Sequence, residues 1–290
     1  MRKWIFGLIL LLGIPLSAQV KGIIVDELGK PVPYVNIWVE NENNSTTSEE
    51  NGEFTIHVAL HKNLILSALG YEKQIVNASN AQKIILKELP FKLDEVVLSR
   101  RFETKQIEIG KVKNETFQAF ENAPRIDAKY FPYAAKYKKT RYIKQLTVYT
   151  DSQIDNATIK FHFYAVNPDG SPGDEMLSKD YIVSVHKGVL KHKFTVTDFN
   201  LKMPKSGIFV GFEKLIIDTN KVERAITDSN TNTVSIQKTY YPFVLYNFVE
   251  KDFVYTFYGG KWVKQNKQNV ITTTDKIKVY EPAINLILTN

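Results

Sequence analysis

The chain has 290 residues, no cysteine and a formal net charge of +7 at pH 7. Without cysteine it has no disulfide bonds, no thiolate metal site and no cysteine-linked lipid anchor, so burial of apolar side chains must hold it together. Its length suits two domains. The basic excess is too small to favour nucleic acid as a partner, but it would suit acidic sugars, cell-surface polysaccharide or lipid head groups.

The N-terminus predicts a secretory signal peptide over residues 1–18. Arg2 and Lys3 precede an uncharged apolar run, and Ala18 supplies a small residue at a plausible cleavage point. The run is shorter than the ~20 residues of a transmembrane helix, and a retained signal anchor is the alternative. We therefore expect an exported protein without a transmembrane segment after cleavage, located in the periplasm, at the outer membrane or outside the cell.

Residues 19–89 predict a small antiparallel β-sandwich. Short strand-like runs alternate with turns, and Gly29 and Gly52 lie where a turn needs positive φ. In the run from Val32 to Asn41 one row of side chains is more apolar, and we expect Val35, Ile37 and Val39 to face the core. A linker and irregular lead-in should follow over residues 90–138, with a short helix near residues 115–121.

The first segment resembles the carboxypeptidase regulatory-like domain, a transthyretin-like β-sandwich. The resemblance rests on Val20, Gly22, Asp26, Gly29, Pro31, Val35, Ile37, Thr47, Asn51, Gly52, Phe54, Ile56, Leu66, Leu69, Gly70 and Tyr71. It implies a fold and no activity. A metallopeptidase would need a His-x-x-Glu pair for zinc, and none of the 5 histidines has glutamate at the third following position. His57 and His61 should be exposed strand residues.

Residues 91–101 carry a second resemblance. The segment is similar to the one that follows the same module in TonB-dependent outer-membrane receptors, with Leu93, Glu95, Val96 and Val97 matching and Leu98 departing from the pattern. The remaining chain is too short for a large barrel. The resemblance therefore implies the compartment of the module and not transport.

Residues 139–290 predict a second, jelly-roll-like β-sandwich, which makes the whole protein all-β. In the run from Ala157 to Val166, Ile159, Phe161 and Phe163 should face the core and His162 should point outward. This half looks like the sandwich found beside the regulatory module in other exported bacterial proteins. The resemblance rests on Asn167, Gly170, Pro172, Gly173, Met176, Leu177 and residues 207–213.

Candidate binding residues are aromatic and acidic. Aromatic faces stack on sugar rings, so Tyr133, Tyr137 and Tyr164 could form a glycan-binding face, although packing at a domain edge is the alternative. The glycine-rich loop 167–176 offers oxygen ligands that calcium could use, without EF-hand spacing. Those weak calcium candidates are Asp169, Asp174 and Glu175.

The sequence offers no catalytic constellation. It has neither a G-x-S-x-G motif nor a cysteine nucleophile, and no phosphate-binding loop or cofactor motif. We expect a non-catalytic binding or structural protein of the cell envelope that contacts a glycan or a protein partner. The alternative is a hydrolase of surface polysaccharide that uses loop or strand-end acids, for which the candidates are Asp169, Asp174, Glu175, Glu213 and Asp218. A purely structural partner would instead show an exposed apolar patch.

Overall fold

In the computed structural model the chain forms two compact units, residues 1–88 and residues 89–290. Most of the predicted signal peptide and all of the receptor-like segment 91–101 lie outside the residues that the structure describes. Within the described residues, no helix has the length and apolarity needed to cross a membrane. The structure describes residues 18–89, 103–111, 117–120, 125–229, 231–251, 254–265 and 278–290.

The first unit consists of two small sheets. One has the strand order β4-β1-β7 and the other β3-β2-β5-β6; β1 runs antiparallel to β4 and parallel to β7. A short 3-10 helix, Ala78–Asn80, precedes the last strand. The strands are β1 (Ala18–Val25), β2 (Asn36–Val39), β3 (Ser45–Thr47), β4 (Glu53–Val58), β5 (Asn63–Ser67), β6 (Gln74–Asn77) and β7 (Lys83–Ile85).

The core of the first unit confirms the predicted pattern. Val35, Ile37 and Val39 are fully buried and belong to one apolar cluster with Phe54 and Ile56. Each fully buried aliphatic side chain stabilises the fold by roughly 1.5–3 kcal/mol. Both turn glycines, at positions 29 and 52, have φ near +80°. His57 in β4 and His61 in the turn after it are exposed. The predicted β-sandwich is therefore confirmed.

Among the described residues, the second unit contains the strands from β8 onward and the 3-10 helices Ala135–Tyr137, Thr197–Phe199 and Asp218–Asn220. The strands are β8 (Gln106–Ile109), β9 (Phe117–Ala119), β10 (Ile126–Phe131), β11 (Tyr142–Ser152), β12 (Ala157–Val166), β13 (Pro172–Glu175), β14 (Tyr181–Val185), β15 (Gly188–Thr195), β16 (Ile208–Lys214), β17 (Lys221–Thr227), β18 (Val234–Tyr240), β19 (Phe243–Glu250), β20 (Val254–Tyr258), β21 (Lys261–Gln265), β22 (Lys278–Pro282) and β23 (Ile284–Thr289).

Two sheets form the sandwich of this unit. The β10 sheet has the order β13-β12-β16-β10-β20-β21, with β14 also paired to β12. The β19 sheet has the order β22-β19-β11-β23-β8, with β15 beside β11 and β9 beside β19. Aromatic rings pack between the inner faces of the two sheets: the ring centroids of Phe212 on β16 and Tyr246 on β19 are 6.1 Å apart. The predicted all-β class is confirmed, and β17 and β18 form a separate hairpin.

The β10 sheet is strongly curled. Tyr164 on β12 and Trp262 on β21 are separated by three strands in the sheet, yet their ring centroids lie 5.1 Å apart. Neighbouring strands are ~4.8 Å apart, so a flat sheet would place these two positions roughly 19 Å from each other. The face that points away from the sandwich core is therefore concave, and we call it the concave face.

A glycine lies at the middle of the concave face. A Cβ on Gly211 would lie 2.8 Å from Ile126 Cγ2 and 3.5 Å from the Tyr164 ring. Strand alternation places His162 on this face, opposite the core, as predicted, and the curl of the sheet leaves the residue only 8% exposed there.

The prediction of an irregular lead-in over residues 90–138 is wrong where the structure describes it. Three strands, β8 to β10, lie in this segment, and β10 occupies a central position between β16 and β20. The helix predicted near residues 115–121 is also wrong for Phe117–Ala119, which pairs with β19 as a strand. Asp127 and Lys129 make β10 hard to predict from the sequence, because a central strand is expected to be apolar. Buried charges in such a strand require partners that only the fold supplies.

Candidate ligand-binding cleft

A cavity of about 230 Å³ lies between the two sheets of the second unit. Polar and aromatic side chains share its wall, and they come from β10, β19, β20, β21 and β22 and from the end of β9. The lining residues are Phe120, Arg125, Asp127, Ala128, Tyr246, Val254, Tyr255, Thr256, Gln265, Tyr280 and Pro282.

Asp127 is the polar centre of the cleft. Its carboxylate accepts hydrogen bonds from Arg125 Nε at 2.9 Å, from Thr256 Oγ1 at 2.8 Å and from the Tyr246 hydroxyl. The Asp127 side chain is 7% exposed, whereas that of Arg125 is 29% exposed. Three donors thus satisfy a buried carboxylate, and the guanidinium forms the more accessible side of the pair.

The pKa shifts of the neighbours follow from this arrangement. Burial and the adjacent Asp127 charge raise the pKa of Tyr246 well above its usual value, so its hydroxyl keeps the proton that it donates. Burial by itself lowers the pKa of Arg125, but the charge and hydrogen bond of Asp127 outweigh burial, and the net shift is upward. The cleft therefore holds a permanent cation.

Aromatic rings supply the apolar part of the cleft. Phe120 lies edge-to-face with Tyr246 at 5.3 Å and with Tyr280 at 4.9 Å between ring centroids. Tyr280 also packs on Phe248 at 4.8 Å. A concave site with ring surfaces and a few fixed polar groups is the usual composition of a small-molecule site.

A buried ion-pair network joins the two sheets next to the cleft. Lys129 Nζ donates to the Gly110 carbonyl oxygen at 2.8 Å and lies 3.1 Å from Glu281 Oε1. Lys251 contacts the second oxygen of Glu281. Because Lys129 and Glu281 are adjacent in sequence to cleft-lining residues, this network fixes the strands that carry the cleft.

A second buried charged cluster lies on the concave face. His162 Nδ1 is 2.8 Å from Glu175 Oε2, and Nε2 is 2.9 Å from Glu213 Oε2. A neutral imidazole has one N–H, so two carboxylate partners require the doubly protonated ring. Burial lowers the pKa of His162, but the hydrogen bonds to Glu175 and Glu213 raise it more, to about 9. This cluster is an imidazolium held between two acids.

The three tyrosines predicted as a glycan-binding face do not share one exposed surface. Tyr133 and Tyr137 contact each other at 6.1 Å, but Tyr137 is 8% exposed. Tyr164 is 9% exposed and packs between His162 and Trp262 on the concave face. The exposed face is wrong for Tyr137 and Tyr164, because the curl of the β10 sheet and packing after β10 cover them. A role of these tyrosines in ligand binding stays a prediction.

The predicted acidic residues have separate partners. Asp169 accepts from the Ser171 N–H at 2.9 Å and hydroxyl at 2.6 Å, and Asp174 is exposed. Glu175 turns towards His162 and also accepts the Phe163 N–H at 2.8 Å. In the part of the chain that the structure describes, no group of three His, Cys, Asp or Glu side chains could hold a metal ion.

Of the acids named for a hydrolase, Glu175 and Glu213 lie on either side of His162, and Asp218 has a separate partner. Glu213 faces His162 and is 1% exposed, and Asp218 pairs with Lys221 at 2.6 Å.

The cleft residues are the ones that sequence reasoning missed. Arg125 and Asp127 are neighbours in the chain, but Tyr246 and Thr256 are more than 100 residues away and reach Asp127 through the packing of the β19 sheet and the pairing of β10 with β20. A weak signal was present: the stretch from Ile126 to Phe131 alternates like a strand and is bounded by Pro124 and Pro132.

Comparison with known proteins concerns the first unit. The CarboxypepD_reg-like domain matches residues 20–98, which include β2 to β7 and all but the first two residues of β1. This confirms the resemblance read from the sequence. The match extends past β7 into residues 90–98, which lie outside the described residues.

The chain is also similar to the TonB-dependent receptor SusC of Bacteroides thetaiotaomicron, with 32% identity over 79 residues. That match covers 27% of this chain and only 8% of the receptor.

Likeness to solved structures is low. A structure of the infectious bursal disease virus Gx strain has a TM-score of 0.24 and 10% identity, covering 94% of this chain and 65% of that chain. BcpA, the major pilin subunit of Bacillus cereus, has a TM-score of 0.17 and 13% identity, covering 93% and 84% of the two chains. Scores of this size do not establish a shared fold.

Proposed function

We propose that this protein is a non-catalytic binding protein of the bacterial envelope and that its second unit binds a glycan in the cleft between the β10 and β19 sheets. The observation that carries the proposal is the combination of ring surfaces from Phe120 and Tyr280 with the accessible guanidinium of Arg125. The envelope location is supported by the CarboxypepD_reg-like domain and by the partial likeness to a TonB-dependent receptor.

The chemistry of the cleft suits a sugar ring. Aromatic faces cover the C–H face of a sugar, and the Arg125 guanidinium, the Gln265 amide and the Tyr280 hydroxyl can bond to ring hydroxyls. The volume of about 230 Å³ is below the ~300–1,000 Å³ of drug-sized sites. A terminal sugar residue fits such a cleft better than several consecutive residues of a chain.

The arrangement of acids supports binding rather than hydrolysis. Glycoside hydrolysis uses two carboxyl groups about 5–10 Å apart across the scissile bond. Among the described residues that line the cleft, Asp127 is the one carboxylate, and three donors already occupy it. Glu175 and Glu213 both bind His162, one at each ring nitrogen.

A glycan array tests the proposal, with residues 19–290 as the probe in the presence and absence of calcium. Tyr280→Ala removes a ring from the cleft wall and should weaken binding of the glycan found by about tenfold, which corresponds to ~1.4 kcal/mol. Tyr133→Ala is the matched control outside the cleft and should bind normally. Loss of binding in the Tyr133 variant with normal binding in the Tyr280 variant would place the site elsewhere.

A protein partner is the second candidate, because the β17–β18 hairpin exposes apolar side chains. Val234 is 66% exposed and Ile236 is 63% exposed, and the register places Ile236 opposite Ala225 on one side of the hairpin. Exposed apolar patches mark interaction surfaces. If no glycan binds, a pull-down from envelope extracts should compare the wild type with Ile236→Ser. A protein that the wild type captures and Ile236→Ser does not would support this candidate.

A further inference from the structure

We infer that the sugar bound in the cleft is acidic and that Arg125 binds its carboxylate group. The inference rests on the proposed function and deepens it, because it specifies the ligand class and the residue that selects it. It follows from the exposure and the hydrogen bonds of Arg125 and Asp127 in the cleft.

The Arg125–Asp127 pair has its cation on the accessible side and its acid on the buried side. Nε of Arg125 bonds to Asp127, and the Tyr246 hydroxyl is the second partner of the guanidinium. A guanidinium has five N–H donors in a planar fork, so donors remain beyond these two contacts. The acid is 7% exposed and the arginine is 29% exposed. A ligand entering the cleft therefore meets the cation and not the carboxylate.

The carboxylate of Asp127 cannot serve as an acceptor for a ligand without losing a protein donor. Its two oxygens already receive hydrogen bonds from Arg125, Thr256 and Tyr246. What the pair offers to a ligand is hydrogen-bond donation with positive charge. Such a site prefers a carboxylate to a hydroxyl, because charge-assisted hydrogen bonds are about twice as strong as neutral ones.

Two further cations lie beside the cleft. Lys129 and Lys251 both contact the carboxylate of Glu281. Tyr280 and Pro282, the neighbours of Glu281 in β22, both line the cleft. A neutral sugar would cover Arg125 without supplying a counter-charge, whereas an acidic sugar would supply one.

The test compares an acid with its own neutral ester on the unmodified protein. Calorimetry with a methyl glycoside of glucuronic acid should give at least tenfold tighter binding than the same glycoside as its methyl ester. Raising the salt concentration from 50 to 500 mM should weaken binding of the acid and leave the ester unaffected, since salt screens the charge interaction.

Variants locate the effect. Arg125→Gln keeps a hydrogen-bond donor but removes the charge, so it should abolish the preference for the acid. Arg125→Lys keeps the charge without the fork and should retain part of the preference. Arg141→Gln, an exposed arginine outside the cleft, is the matched control and should change nothing. If Arg125→Gln fails to fold, the acid–ester comparison and its salt dependence still decide.

The outcomes separate the two proposals. Equal affinity for acid and ester would overturn the acidic-ligand inference and leave the glycan-binding function standing. A preference for the acid that survives in Arg125→Gln would overturn the role of this residue. An absence of binding to both glycosides, together with a silent glycan array, would overturn the inference and the proposed function together.

Discussion

His162 and Glu213 lie directly against each other on adjacent strands, with 2.9 Å between Nε2 and Oε2 and almost no exposure of the acid. Glu175 closes the other side of the ring. Lys160, whose backbone is opposite Glu213 in the register, is also buried and pairs with Asp180 at 2.8 Å. The concave face thus holds two cations and three acids, and its stability depends on the His162 proton.

This dependence predicts that the second unit loses stability in mild alkali. The folded state raises the pKa of His162 to about 9, whereas the unfolded chain releases this proton near ~6.5. The stabilisation is fully present below the unfolded value and is lost as the pH rises through the folded value. Denaturant unfolding measured from pH 6 to pH 10 should show decreasing stability over this window.

The control for the pH effect is His162→Gln, which keeps a hydrogen-bonding side chain without a proton to lose. Its overall stability should be lower, and its decline between pH 6.5 and pH 9 should be much smaller than that of the wild type. An equally steep decline in this variant would show that another group titrates.

Glu213→Gln should destabilise the second unit by about 3 kcal/mol, since breaking a buried charged pair leaves the other ion without full compensation. The matched control is Glu223→Gln on the exposed hairpin, where the acid pairs with Lys221 and Lys238 in solvent. Surface pairs of this kind contribute ~0–1 kcal/mol. Urea unfolding curves of both variants give the comparison, and equal small effects would contradict a structural role of the buried acid.

Gly211→Ala should destabilise the second unit by about 1–3 kcal/mol, because its Cβ would come within 2.8 Å of Ile126 Cγ2 in a packed region. A double-mutant cycle with Ile126→Ala isolates this contact. In the Ile126→Ala background the added methyl group should cost much less than in the wild type. Additive effects in the cycle would mean that the clash is with the backbone or with Tyr164.

The first unit could be predicted from sequence almost completely, whereas the site in the second unit could not. Its signals are local in the sequence: turn glycines, family positions and alternating rows such as Val35, Ile37 and Val39. The side chains predicted to be buried from these signals do form the core. The curl of the β10 sheet depends on contacts between distant strands, such as Tyr164 with Trp262. Alternation therefore predicts which face of the sheet carries His162, but it does not predict that His162 is buried there. The cleft was missed because Asp127 gains its partners only through strand pairing and sheet packing.

Asp127→Asn should weaken both the fold and the binding of an acidic sugar. The amide has one oxygen in place of two, so it can accept either from Thr256, which now bonds to Oδ1, or from Arg125 and Tyr246, which now bond to Oδ2. The charge that positions Arg125 is also lost, so the arginine gains freedom that a ligand must then restrict. We expect about 2 kcal/mol of destabilisation and roughly tenfold weaker binding. Asp155→Asn, whose acid side chain is 62% exposed, is the control and should leave both quantities unchanged. Tighter binding in Asp127→Asn would show instead that Asp127 competes with the ligand for Arg125.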